Sequence, residues 1–111
     1  MALKRVEPSE VVNLDTITEE VGAAGSYSLT KNDAFQAILM RLPKGKLIDE
    51  HSVDGPLIVQ CLEGAVEFPV DGSMRTLSTG DWMYLPGGTP HAVEVLVDTR
   101  LLVTILFLDE P

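Results

Sequence analysis

At 111 residues, with 45% hydrophobic and 23% charged side chains, the chain has the size of one globular domain, large enough to bury a core without disulfides. Its 17 Asp and Glu outnumber its 8 Lys and Arg, and the resulting net charge of −9 argues against a nucleic acid partner, which needs clustered cations to displace phosphate counterions. The single Cys61 excludes an intramolecular bridge, and nothing calls for an oxidising compartment.

The opening stretch MALKRVEPSEVV places Glu7 and Glu10 ahead of any apolar run long enough for a signal peptide, so a cytoplasmic protein is expected. Residues 1–33 are irregular. Val11-Val12-Asn13-Leu14 reads as an added strand, and Ile17 to Ala24 as one helical turn that Gly22 and Gly25 keep short. This part is expected to be an arm that packs on the remainder or on a second subunit.

Residues 34–111 form the predicted domain. Turn signals at Asn32-Asp33, Pro43-Lys44-Gly45, Asp54-Gly55-Pro56, Asp71-Gly72 and Pro86-Gly87-Gly88-Thr89-Pro90 leave no room for an ordinary helix. Between them Phe35 to Leu42, Leu57 to Leu62, Ala65 to Val70, Trp82 to Leu85, His91 to Val97 and Leu101 to Leu108 read as strands, which predicts an all-β sandwich or barrel. Asp71-Gly72 predicts a type I′ hairpin with Met74 to Leu77 on its far side. Pro69 lacks a ladder donor and belongs at an edge or where its nitrogen faces no partner. Leu101 to Leu108 is too short to span a bilayer and apolar on both faces, so its outer face needs cover from the arm or from a partner chain.

Two segments carry a spacing. In the first, Gly45 is followed by five residues and His51, and the segment closes at Gly64. In the second, Gly80 is followed by five residues, Pro86, one residue, Gly88, two residues and His91. This arrangement resembles the cupin superfamily over roughly residues 34 to 108, and the resemblance implies a double-stranded β-helix, or jelly-roll, barrel with the N-terminal part as its arm. It also implies a homodimer. Three positions depart from the pattern: Val53 replaces the second histidine, Leu57 the glutamate and Val95 the final asparagine.

In metal-binding cupins the replaced histidine and glutamate join the two histidines kept here on one divalent cation, and Val53 and Leu57 have no electron pairs to offer. His51 and His91 alone would leave a divalent transition metal mostly to water. Alternation along a strand puts Asp49, His51 and Val53 on one face, Leu57, Val59 and Cys61 on another, and His91, Val93 and Val95 on a third. Asp49 or Cys61 therefore stands as a candidate to complete a weak metal site. The other reading makes the two histidines the polar groups of an apolar pocket walled by Val53, Leu57, Val59, Cys61, Val93 and Val95, which is the usual make-up of a small-molecule site.

No Gly-x-Ser-x-Gly elbow is present, no helix follows Gly87-Gly88 to cradle a phosphate, and Trp82 and Tyr84 alternate as packing or interface residues do. Three functions stay open: a small-molecule binder with catalysis undetermined, a metal-dependent enzyme of the dioxygenase or isomerase kind with an incomplete ligand set, and a non-catalytic sensor. Neither catalytic residues nor a cofactor is assigned.

Overall fold

The computed structural model of the protein describes residues 4–21 and 25–108. Among them one helix, α1 (Leu14–Val21), precedes nine strands: β1 (Ser26–Lys31), β2 (Phe35–Leu42), β3 (Leu47–His51), β4 (Leu57–Glu63), β5 (Ala65–Val70), β6 (Ser73–Ser78), β7 (Trp82–Leu85), β8 (His91–Val95) and β9 (Thr99–Leu106). They form two sheets, in the orders β1-β2-β9-β4-β7 and β3-β8-β5-β6. Every pairing is antiparallel. The fold is all-β, a jelly-roll barrel made of two facing sheets.

Alternation decides what faces the interior. Along β4, Leu57, Val59 and Cys61 are buried while Ile58, Gln60 and Leu62 are only partly so. On β8 the inward set is His91, Val93 and Val95, and on β9 it is Thr99, Leu101 and Val103. The apolar members of these sets meet Leu42, Val66, Phe68, Leu77 and Leu85 in one core between the sheets. Strand β9 runs through the middle of the larger sheet and pairs with β2 over its full length, from Phe35 opposite Leu106 to Leu42 opposite Thr99.

Asp71 and Gly72 both have positive φ, 47° and 80°, and Val70 pairs with Ser73 across them, the geometry of the expected type I′ turn. Pro69 lies on β5, an interior strand and not an edge. Pairing with β8 is made at Val66, Glu67 and Val70 and passes over the proline, so the missing donor falls where the ladder is not continuous.

The N-terminal segment differs from its expected form. Val11 to Asn13 are not a strand, and Leu14 begins α1. The Asn13 side-chain oxygen accepts hydrogen bonds from the amides of Asp15 and Thr16, capping the helix, which begins at Leu14, ahead of the predicted start at Ile17. Residues 22–24, where that turn was to end, lie outside the described residues. Ile17 and Val21, one turn apart, pack with Leu29 and Leu39 against Leu62 and Leu102. The outer face of β9 is thus covered at Leu102 by this chain's own helix. Strand β1, unmarked in the sequence reading, extends the sheet beyond β2, and the Val6 amide donates to the Leu29 carbonyl.

No helix among the described residues is long and apolar enough to cross a membrane.

Candidate functional site

The barrel is open at one end, where a cavity of about 180 Å³ lies above the packed core. Leu57 and Val59 from β4, Val93 from β8, and Leu101, Val103 and Ile105 from β9 line it. Phe68, Ile38, Met40, Ile48 and Val53 complete a carbon wall in which the polar side chains are His51 and His91.

The two imidazoles face each other because β3 and β8 pair there. His51 is opposite His91, but Ile48 is opposite Val93, so β3 carries one extra residue between Ile48 and His51. This bulge changes the expected alternation. Ile48 and His51 both reach the cavity, whereas Asp49 is exposed and not part of the wall. Asp49 is therefore not a completing ligand; its backbone carbonyl instead accepts a hydrogen bond from His51 Nδ1 at 2.9 Å. Cys61 also falls outside the wall. It faces inward one step further along β4, in the packed core with Val66, Leu77 and Val95, and its thiol approaches the Gly64 carbonyl. Burial, reinforced by the charge of Asp81, pushes the Cys61 pKa up, the opposite of a reactive thiolate. Val95, expected in the wall, is core as well.

His91 is buried, with 3% of its surface exposed, while His51 sits exposed at the mouth. Their ring centroids are 4.3 Å apart, and Phe68 lies 6.4 Å from the His91 ring. His91 Nδ1 donates to the Thr89 carbonyl at 3.0 Å, the same two-residue reach that His51 makes to Asp49. The mouth is latched by loop contacts: the Gly88 amide donates to the Val53 carbonyl, and a Cβ on Gly87 would stand 2.0 Å from the Asp54 oxygen. Only glycine fits so close an approach.

Burial pushes the His91 pKa below its ordinary 6.5; the Thr89 carbonyl opposes this, and neighbouring His51 adds to the lowering. The unfolded chain therefore takes up this proton first as the pH falls. Stability that is fully present above about pH 6.5 is lost between that value and the lower folded pKa. The expected result is a melting temperature that drops more steeply below pH 6.5 in the native protein than in His91→Gln. Parallel curves would count against it.

The donor set does not fit the metal site of metal-binding cupins. Two nitrogen donors stand in a wall of carbon, Val53 and Leu57 present methyl groups to the same space, and no cluster of three His, Cys, Asp or Glu exists among the described residues. A larger groove of about 720 Å³ lies outside the barrel between α1 and the ends of β2, β4 and β9. Its polar groups engage one another: Arg100 is 2.7 Å from Asp15 and 3.7 Å from Glu63. The barrel cavity is the better candidate, since its polar atoms converge on enclosed space.

Sequence reading missed Ile38, Met40, Ile48, Phe68 and the inner residues of β9. The signal was two-residue spacing within the apolar runs, Ile38 with Met40 and Leu101 with Val103 and Ile105, but Leu39 and Leu102 are apolar too, so the pattern does not say which face lines the cavity.

Residues 38–107 match the family model described as "Cupin domain". The chain is similar to a solved cupin superfamily protein from Desulfitobacterium hafniense at 20% identity, covering 97% of this chain and 100% of that one with a TM-score of 0.80. It is also similar to a conserved protein of unknown function from Streptococcus pyogenes (23% identity, 99% and 100% covered, TM-score 0.78) and to KdgF from Halomonas sp. (21%, 76% and 80%, 0.69). At these identities the likeness is one of fold. No curated protein matches the sequence.

Proposed function

The chain belongs to the cupin family, and from that premise we propose that it binds a small, largely apolar molecule inside the barrel, oriented by His51 and His91. The observation that carries this reading is the enclosed carbon wall with two imidazoles at its open end. Where a metal cupin has ligands, Val53 and Leu57 extend apolar surface, and few polar groups in an apolar enclosure is how small-molecule sites are built. The size supports a ligand little larger than one aromatic ring, since a cavity of roughly 150 Å³ admits benzene.

Titration with small neutral aromatic compounds, followed by methyl resonances of Val59, Val103 and Ile105, tests the reading. Those methyls are expected to shift together and saturably, and the melting temperature to rise as RT ln(1+[L]/Kd) requires. Val53→Phe, which puts a ring at the mouth, is expected to weaken binding at least tenfold while leaving the melting temperature of the unliganded protein within a few degrees. If no compound of this size moves the cavity methyls, or if Val53→Phe binds like the native protein, the reading is wrong. Elemental analysis of protein expressed in metal-replete medium is expected to find well under one transition metal ion per chain. Stoichiometric metal that is lost in a His51→Ala, His91→Ala double variant would favour a metal centre instead.

A further inference from the structure

Resting on the reading of the barrel cavity as a small-molecule site, we infer that its ligand is a neutral molecule whose polar end donates a hydrogen bond, such as an alcohol, a phenol or an N–H group. A molecule of the same shape ending in a carbonyl is rejected.

A carbonyl oxygen only accepts, so the contacts from His51 Nδ1 to Asp49 and from His91 Nδ1 to Thr89 place the hydrogen on Nδ1 in both rings. A neutral imidazole has one N–H; each Nε2 is therefore left with a lone pair. Among the described residues no buried side-chain nitrogen or oxygen lacks a partner. Nε2 of the buried His91 makes no hydrogen bond to the protein, so it is accessible, and the ring lines the cavity. The opposite tautomer would break both carbonyl contacts, and the second ring repeats the arrangement of the first.

The side chains of the cavity thus present acceptors and carbon. Ile48, Val53, Leu57, Val93 and Ile105 around the histidines have no polar side-chain atom. A hydroxyl entering this space gives its hydrogen to Nε2. A carbonyl would bring a further lone pair against two others and lose its water without return. Sites built this way discriminate strongly, because the wrong ligand leaves buried polar groups unmatched on both sides.

The test compares benzyl alcohol with benzaldehyde at pH 8, well above the ordinary imidazole pKa of about 6.5, by calorimetry and by shifts of the cavity methyls. Benzyl alcohol is expected to bind at least tenfold more tightly. His91→Gln supplies an amide that both donates and accepts, and is expected to reduce the ratio to about threefold or less. Should that variant fail to fold, His51→Gln at the exposed mouth makes the same comparison. Nitrogen-15 spectra of the labelled imidazoles provide an independent readout: both rings are expected to show a protonated Nδ1 and an unprotonated Nε2. Equal binding of alcohol and aldehyde, or a hydrogen on Nε2 in the unliganded protein, overturns the inference and leaves the cavity reading standing. If neither compound reaches the cavity methyls, both fall.

Discussion

Gly64→Ala is expected to cost about 2–6 kcal/mol of folding stability, combining a strained left-handed backbone with an overlap that cannot relax. Gly64 joins β4 to β5 at φ 109°, and a Cβ there would lie 2.3 Å from Thr99 Oγ1, 2.6 Å from the Asp98 carbonyl oxygen and 2.8 Å from Thr99 Cα. Thr99 has nowhere to go. It is 2% exposed, and its hydroxyl accepts from the Ala65 amide at 3.1 Å while donating to the Val97 carbonyl at 2.7 Å. A shift that relieves the methyl breaks bonds that tie the start of β5 to the start of β9. Gly72→Ala is the control, because Gly72 also has positive φ (80°) but nothing within 4 Å of the added carbon. It is expected to lose only the backbone part, about 1–3 kcal/mol. Urea midpoints of the two variants, at unchanged slope, measure the difference. Equal losses would mean that the contact at Thr99 carries no weight.

Most of the barrel was legible because turn residues bracket short apolar runs, and β2, β5 and β7 begin and end where those runs do. The Asp71-Gly72 hairpin was equally plain, since few residue pairs tolerate two positive φ angles. What escaped had a physical reason in each case. Strand β1, SYSLTK, buries little besides Leu29 and is set by its pairing to β2, a long-range cause that a local pattern does not record. Strand β3 is mostly exposed and bulged, and a single inserted residue exchanged Asp49 for Ile48 on the cavity face. The start of helix α1 was hidden by Val11 and Val12, read as a strand, although Asn13 followed by Asp15 and Thr16 is a legitimate start signal. For the site, motif spacing brought the two histidines to the same place. The depth of the cavity was not readable, because whether Cys61 lines space or fills it depends on how the opposite sheet packs against it.

The two leucines Leu101 and Leu39 turn the cavity reading into a measurable contrast. Each is 1% exposed, and both lie on the same sheet, so Leu→Ala at either is expected to cost about 2–5 kcal/mol. They point to opposite faces. Leu101, opposite Cys61 on β4 and Met40 on β2, lines the cavity, whereas Leu39 packs under α1 with Ile17 and Val21. Truncating Leu101 adds its lost side-chain volume to the enclosed space, and a bulkier alcohol, such as a naphthylmethanol, is then expected to bind at least tenfold more tightly than to the native protein. Part of the lost stability returns with it, about 2.7 kcal/mol when the ligand stands at 100 times its Kd. Truncating Leu39 is expected to lower the melting temperature by a similar amount and to leave the order of ligand preference unchanged. A size preference that shifts in both variants would trace the effect to general loosening. One that shifts in neither would place the binding surface outside the barrel.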